Sequence, residues 1–342
     1  MSADQDSCTV SWKHGEFTIA LSGAMCAPVN FRLEDGRVVQ PFAIAPWEHN
    51  ETPEFQELPQ LLKKLRGEWV CVPFGMPETR TDLPPAWAPT TQCKADIGDW
   101  FHGPGANARW NVTDCFDGGI ELELLYPQTH PIERLVRKIS GSTAGPRLEF
   151  ELEIYPRQDC FLPIGIHPVF KLPEKQGDAK LSVAGATTVH TYPVDAELGV
   201  SKLPHGATFE SLEAARWAGG SSVDLTRHPL DIQTEEIVLV AGANGRATLE
   251  NYAENYSATV SWNPKDFASC NLWISNKGRT AYPWNGRFQA LGIEPVSAPF
   301  DLGCAVANSG AAPLAASGVK SGVQFSAGEK WTTDYAIEVE AL

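Results

Sequence analysis

Long apolar runs and an excess of positive charge are both missing from this sequence. No stretch approaches the roughly 20 apolar residues that a membrane-spanning helix needs. Lysine and arginine number 27 against 42 aspartates and glutamates, which gives a formal net charge of −15. Such a balance repels phosphate backbones and anionic membrane surfaces. We therefore expect no nucleic-acid partner and no membrane association.

Closely spaced cysteine pairs are also missing. The chain has eight cysteines, and none of them forms a C-x-x-C pair, so the spacing indicates neither a zinc site nor a redox motif. The first residues lack the basic and apolar regions of a secretory signal. Because disulfides persist mainly in exported proteins, we expect free thiols and a cytoplasmic location.

Turn-forming residues are plentiful, with 29 glycines and 26 prolines, which favours many turns over long helices. Apolar residues alternate with carboxylates at 120–125, 148–154 and 335–340. This period of two is typical of half-buried antiparallel strands. Helical patterning is confined to short stretches such as 60–65. The sequence predicts an all-β fold, a large antiparallel β-sandwich with a few short helices, over residues 1–342 as a single domain.

Four segments place a polar side chain among apolar, turn-flanked residues, and they hold Arg66, His102, His167 and Glu294. Apolar neighbours raise the pKa of a carboxyl group, which suits a general base that works near neutral pH. A histidine and a glutamate that converge in one pocket supply an acid and a base together. A surface carboxylate and a core histidine would have the same local patterns, and spacing alone does not decide between these interpretations.

In this order the four segments resemble those of the aldose 1-epimerase (galactose mutarotase) superfamily, and most of all its hexose-6-phosphate mutarotase-like branch. The matching motifs are Arg66-Gly followed by Pro-Phe-Gly at 73–75, His102-Gly, Gly165-x-His-Pro-x-Phe and Gly292-x-Glu-Pro. The resemblance spans about residues 30–305. It implies a galactose mutarotase-like β-supersandwich.

The resemblance also implies an isomerase that interconverts the α and β anomers of a free aldose. Glu294 would be the base that removes the proton of the C1 hydroxyl, and His167 would be the acid that protonates the ring oxygen. His102 and Arg66 would bind the monosaccharide substrate. Glu235, in Thr-Glu-Glu-Ile, is the nearest counterpart of the family's acidic substrate ligand; the same residue also has the pattern of an exposed charge at the start of a strand.

The chain departs from the phosphate-binding branch at Ala106, which stands where an arginine is expected; Arg109 follows three residues later. Loss of a bidentate donor weakens phosphate recognition, so we expect a free aldose. Trp110, Trp273 and Trp284 are candidates for stacking against a sugar, and residues 276–279 are predicted to form a polar hairpin turn.

One acid/base pair is enough for ring opening, so we expect neither a cofactor nor a metal. Three alternatives stay open: a carbohydrate-binding or regulatory protein without turnover, a hexose-6-phosphate mutarotase, and a glycoside hydrolase or lyase. A hydrolase would need a second carboxylate. The sequence does not indicate the oligomeric state.

Overall fold

The computed structural model describes residues 6–93 and 95–342, and β-strands dominate them. The strands are β1 (Ser7–Trp12), β2 (Gly15–Ala20), β3 (Met25–Arg32), β4 (Val38–Val39), β5 (Val70–Cys71), β6 (Asn111–Phe116), β7 (Gly119–Leu125), β8 (Ile132–Gly141), β9 (Arg147–Pro156), β10 (Cys160–Leu162), β11 (Ile164–Ile166), β12 (Val169–Lys171), β13 (Ala179–Val183), β14 (Thr188–Thr191), β15 (Thr208–Phe209), β16 (Arg227–His228), β17 (Thr234–Ala241), β18 (Arg246–Asn251), β19 (Tyr256–Trp262), β20 (Ser269–Asn276), β21 (Gln289–Ser297), β22 (Val323–Phe325) and β23 (Trp331–Ala341). The helices are α1 (Pro53–Gln56), α2 (Gln60–Lys64), α3 (Gly103–Asn107), α4 (Gly303–Asn308) and α5 (Ala312–Ala315). No helix in this described part of the chain is long and apolar enough to span a membrane.

The strands pair antiparallel into two large and two small sheets. The nine-stranded sheet has the order β16-β13-β18-β19-β23-β9-β8-β7-β6. The eight-stranded sheet has the order β15-β14-β17-β20-β21-β11-β5, and β12 also pairs with β21. The small sheets are β1-β2-β3-β4 and β10-β22.

The predicted alternation at 120–125, 148–154 and 335–340 lies in β7, β9 and β23, and the all-β prediction is confirmed. In β9 every second residue from Leu148 to Ile154 is buried, while the carboxylates between them are exposed or half-buried. Burial of one face is what holds this register, because a slip of one residue would turn the apolar side chains to solvent.

The two large sheets pack face to face. One core cluster contains Leu272 and Ile293 of the eight-stranded sheet together with Leu135 and Phe150 of the nine-stranded sheet. Successive side chains of a strand point to opposite faces. The neighbours of Ile293 and Leu272 therefore point away from the nine-stranded sheet, onto the outer face of the eight-stranded one. Glu294 lies on this outer face.

An ion pair inside the molecule joins the two sheets. Glu68, just before β5, contacts Arg137 of β8, and both side chains are fully buried. The Tyr335 hydroxyl of β23 donates to the other carboxylate oxygen of Glu68 at 2.7 Å. Arg137 also donates to the carbonyl of Ala24 at 2.5 Å. Strands β8 and β23 and the segment just before β5 thus share one hydrogen-bonded charge pair.

The expectation of free thiols is wrong for two of the cysteines. Cys93 and Cys304 form a disulfide with their Cα atoms 5.5 Å apart, while the other six have free thiols. The two partners are 211 residues apart in the chain, so sequence spacing could not pair them. The bond ties the loop that precedes α3 to α4.

Removal of one partner of the buried ion pair leaves an uncompensated charge, which costs about 3–5 kcal/mol. Arg137→Met should lower the free energy of unfolding by that amount in denaturant titration. Glu68→Gln combined with Arg137→Met removes both charges and should restore most of the loss. Arg134→Met, a neighbour on β8 with a half-buried ion pair, is the matched control and should cost under about 1 kcal/mol. A double variant as unstable as the single one would contradict this assignment.

Candidate active site

A single register of antiparallel pairing builds the centre of the candidate site. β21 pairs with β11 and β12 in one continuous register, and His167, which lies between those two strands, falls opposite Glu294. At its other edge β21 pairs with β20, where Asn271 is the direct partner of Glu294. The backbone N–H of His167 donates to the carbonyl of Trp69 at 2.8 Å. Trp69, His167, Glu294 and Asn271 thus form one row across four chain segments.

A side-chain contact in this row joins Nε2 of His167 to Oε1 of Glu294 at 3.3 Å, and the two side chains are only 6% and 4% exposed. The contact falls short of hydrogen-bond geometry. Within the described residues, Oε1 of Glu294, Nδ1 of His167 and both amide atoms of Asn271 are buried without a hydrogen-bond partner. Buried polar atoms are normally paired, which makes this row a candidate contact for a polar ligand.

Burial determines the charge of the pair. It raises the pKa of Glu294 well above its usual value; the charge of Asp301 acts in the same direction, and the nearby Asn271 amide opposes both. Burial lowers the pKa of His167 well below its usual value, and His102 adds to this effect. Both shifts favour the uncharged forms of the pair, a protonated Glu294 carboxyl group and a neutral His167 imidazole.

His102 contributes a second imidazole, whose ring centre lies 5.2 Å from that of His167. Its Nδ1 accepts a hydrogen bond from the backbone N–H of Gly75 at 3.1 Å. A neutral ring that accepts at Nδ1 carries its proton on Nε2. Burial lowers the pKa of His102 to about 3. At neutral pH this ring is an uncharged hydrogen-bond donor.

Asp301 brings a second carboxyl group to the site. Its Oδ1 accepts a hydrogen bond from the Tyr192 hydroxyl at 2.6 Å, and burial raises its pKa. The backbone N–H of Met76 donates to the Asp301 carbonyl at 2.8 Å. Gly75 has a φ of +99°, and a Cβ there would lie 2.5 Å from that carbonyl oxygen. A glycine is therefore required where the loop that orients His102 meets Asp301.

These groups line one pocket, which is partly open to solvent. Its polar lining is His102, His167, Asn271, Arg279, Glu294 and Asp301. Its apolar lining is Leu61, Leu62, Leu65, Trp69, Phe74, Phe101, Ile237, Trp273 and Trp284. The Trp69 ring stacks on His167 with their centres 4.1 Å apart. In residues 6–93 and 95–342, no three His, Cys, Asp or Glu side chains are placed so that they could hold one metal ion together.

The pocket brings together three of the site residues predicted from the sequence, namely Glu294, His167 and His102. Arg66 is not part of the lining; its guanidinium contacts the Glu48 carboxylate at 2.7 Å. Glu235 is not part of it either, because its side chain is fully buried behind the pocket wall.

Two of the three tryptophans that were candidates for stacking on a sugar lie in the pocket, and one does not. Trp273 and Trp284 line the pocket, whereas Trp110 lies in the core and donates from its indole to the carbonyl of Gly105 at 2.9 Å. Ala106 is buried in α3, and Arg109 contacts Asp6 at 2.8 Å. Neither position brings a guanidinium group into the pocket.

Sequence reasoning missed three polar residues of the lining. Asp301 lies seven residues after Glu294 in a segment that was already singled out. Asn271 is a polar residue in β20, where all eight residues are buried; the strand also contains Ser269, Ser275 and Asn276, so no local signal singled Asn271 out. Arg279 was predicted to lie in a polar turn, and nothing local in the sequence shows that this turn folds over the pocket.

No protein-family model and no curated protein matches the sequence. Solved structures match along nearly its whole length. A candidate aldose 1-epimerase from Escherichia coli K12 has 15% sequence identity and a TM-score of 0.64, with 98% of this chain and 99% of that one covered. An aldose epimerase homologue from C. elegans has 13% identity, a TM-score of 0.61 and coverage of 98% and 99%. A galactose mutarotase-like protein from Lactobacillus casei has 15% identity, a TM-score of 0.60 and coverage of 98% and 100%.

At such low identity the similarity concerns the architecture of the chain. The expected supersandwich is confirmed by it. This chain has the galactose mutarotase-like fold.

Proposed function

We propose that the protein is a mutarotase of the aldose 1-epimerase type, which interconverts the α and β anomers of a free aldose. The observation that carries this proposal is the buried His167–Glu294 pair, 3.3 Å apart, beside which Nδ1 of His167 and both amide atoms of Asn271 have no hydrogen-bond partner among the described residues. Anomerisation needs one proton removed at O1 and one delivered at the ring oxygen. An acid and a base side by side meet that need.

The pair holds one proton, and the reaction only moves protons within the site. When that proton passes from Glu294 to His167, the pair becomes a carboxylate and an imidazolium. Glu294 then takes the proton of the C1 hydroxyl while His167 gives its proton to the ring oxygen, and the bond between C1 and that oxygen breaks. Rotation about C1–C2 in the open-chain aldehyde followed by reversal of these transfers closes the other anomer. Each cycle returns the proton to the pair.

The other polar groups have roles that suit a sugar. His102, neutral and protonated on Nε2, donates to a substrate oxygen near the reacting bond. Asn271 offers both a donor and an acceptor next to Glu294. Asp301, whose Oδ1 is held by Tyr192, accepts from a further hydroxyl. The indole faces of Trp273 and Trp69 cover the C–H surfaces of the ring, as aromatic side chains commonly do.

A glycoside hydrolase is the second candidate, because Asp301 supplies a second carboxyl group in the same pocket as Glu294. Hydrolases use two carboxyl groups on either side of the scissile bond. Incubation with a panel of disaccharides separates the candidates: a hydrolase releases new reducing ends, whereas a mutarotase changes optical rotation without releasing any.

Glu294→Gln keeps the size of the side chain and removes the base. We expect the anomerisation rate above the spontaneous background to fall by roughly 100-fold or more, the scale of positioned proton transfer, while sugar binding persists. Polarimetry of freshly dissolved α-D-glucose and α-D-galactose measures the rate, and tryptophan fluorescence measures binding.

Glu340→Gln, which removes an exposed carboxylate at the end of β23, is the control and should keep the full rate. An unchanged rate in Glu294→Gln would exclude Glu294 as the base. If the unmodified protein binds sugar but adds nothing to the background rate, the chain is a binding protein without turnover.

The raised pKa of Glu294 also predicts a dependence of stability on pH. Below the pKa of a carboxyl group in the unfolded chain, roughly 4.3, Glu294 is protonated in both the folded and the unfolded state. Folding then buries no charged group at this position. As the pH rises through that value the unfolded chain ionises while the folded one keeps its proton, so the folded state loses relative stability. Glu294→Gln should therefore be more stable than the unmodified protein at pH 7, by on the order of 1 kcal/mol or more. The difference should vanish near pH 4 in denaturant titrations; an equal difference at both pH values would contradict it.

Gly292 leaves the space that the carboxyl group of Glu294 occupies. A Cβ at position 292 would lie 2.5 Å from Oε1 of Glu294 and 3.0 Å from Cβ of Trp273. Gly292→Ala should turn the carboxyl group away from His167 and lower kcat by about tenfold or more, the scale of a misplaced catalytic group. Gly219→Ala, where an added Cβ meets nothing within 4 Å, is the matched control. Full activity in Gly292→Ala would show that the carboxyl group is not held in this position.

A further inference from the structure

Arg279 is the one arginine or lysine that lines the pocket among the residues described. Its Nε lies 3.3 Å from Oε1 of Glu235 and 3.2 Å from Oε2 of Glu197. The guanidinium carbon lies 4.6 Å from the ring centre of Trp284 and 5.8 Å from that of Trp273. A planar cation thus lies against one aromatic wall, and two carboxylates lie in ion-pair contact with its Nε, which forms no hydrogen bond to either of them.

Glu235 holds more than the arginine. Its side chain is fully buried, and it accepts hydrogen bonds from the indole of Trp273 at 2.5 Å and from the hydroxyl of Ser275 at 3.0 Å. Trp273 and Arg279 both face the pocket, while Glu235 stands behind them. One carboxylate therefore sets the position of two neighbouring side chains in the wall.

The edge of the guanidinium group opposite Nε carries the two terminal nitrogens. This fork of N–H donors matches two oxygens side by side, as in a carboxylate, a phosphate or a pair of adjacent hydroxyl groups. Charge selects among them. Two carboxylates, those of Glu235 and Glu197, already oppose the single positive charge of Arg279.

No second cation in the described lining supports Arg279. Arg66 contacts Glu48 outside the pocket, and Arg109 contacts Asp6. A phosphate dianion at this position would face one neutralised guanidinium group with two carboxylates behind it. An uncharged diol needs only the donors and loses nothing to that repulsion.

We propose that Arg279 is a specificity-determining residue that donates to two adjacent hydroxyl groups of an uncharged aldose, and that Glu235 and Glu197 are positioning residues that hold it and exclude phosphorylated sugars. The inference rests on the proposed function for the identity of the ligand as a sugar. It gives Glu235 an indirect role, through Arg279 and Trp273, in place of the direct contact that the resemblance implied.

The test compares D-glucose and D-galactose with their 6-phosphates, by polarimetry for kcat and KM and by tryptophan fluorescence for binding. In the unmodified protein we expect kcat/KM for the free sugars to exceed that for the phosphates by about tenfold or more, the scale of one specific polar interaction. Arg279→Met should raise KM about tenfold or more with a smaller change in kcat. Arg279→Lys, which keeps the charge but loses the fork, should also raise KM. Arg287→Met, on the same loop but outside the lining, should leave KM unchanged.

The carboxylates give the sharper measurement. Glu197→Gln and Glu235→Gln should each shift the preference towards the 6-phosphate, because each removes a negative charge that opposes the charge of Arg279. If these residues had only a structural role, the substitutions would weaken binding of the free and the phosphorylated sugars to the same extent. Glu197 is partly exposed, so Glu197→Gln answers the question even if Glu235→Gln fails to fold.

A higher kcat/KM or tighter binding for the 6-phosphates in the unmodified protein overturns the inference. An unchanged KM in Arg279→Met overturns it too, as does a failure of the protein to bind any of the four sugars. Fluorescence keeps this result separate from the proposed function. Selective binding of free sugars without turnover supports the role of Arg279 and rejects the mutarotase.

Discussion

The pairing of β21 with the strands on both of its edges is the constraint on which the site depends. Glu294 is opposite His167 on one side and Asn271 on the other because a single register runs through these strands. The face below packs Ile293 and Leu272 against the nine-stranded sheet. A slip of one residue would send the carboxyl group into that core and an isoleucine into the pocket. The same apolar burial that stabilises the sandwich therefore holds the carboxyl group of Glu294 next to the imidazole of His167.

Exclusion of water follows from this placement and gives the pair its chemistry. Trp69 covers one side of His167 at 4.1 Å, and Trp273 lies at 5.9 Å between ring centres. Removed from water, both groups favour their uncharged forms, so their pKa values move in opposite directions. The pair then differs from its ionised form by the position of one proton. Burial of these polar groups has a cost in stability.

Much of the fold could be predicted from local pattern, and the site only in part. The alternation in β7 and β9 indicated half-buried strands directly, because the period of two is a property of the strand itself. Glu294, His167 and His102 were predicted because each lies in a short motif. Asp301 was missed although it lies near Glu294 in the chain, and Arg279 was missed because a polar turn looks the same over solvent and over a pocket.

The sequence by itself determined the all-β class, the antiparallel pairing and the polar residues that interrupt apolar strands. The period of a strand and a short motif are local features, so they can be recognised in the sequence without knowing which segments pack against them. Only the tertiary structure decided that Cys93 meets Cys304 across 211 residues, that Arg66 lies outside the pocket against Glu48, and that Glu235 stands behind the wall. Such outcomes depend on which distant segments share a sheet face. Glu294 became a candidate base from its motif, but its partner, its burial and its proton come from β20 and from the segment between β11 and β12.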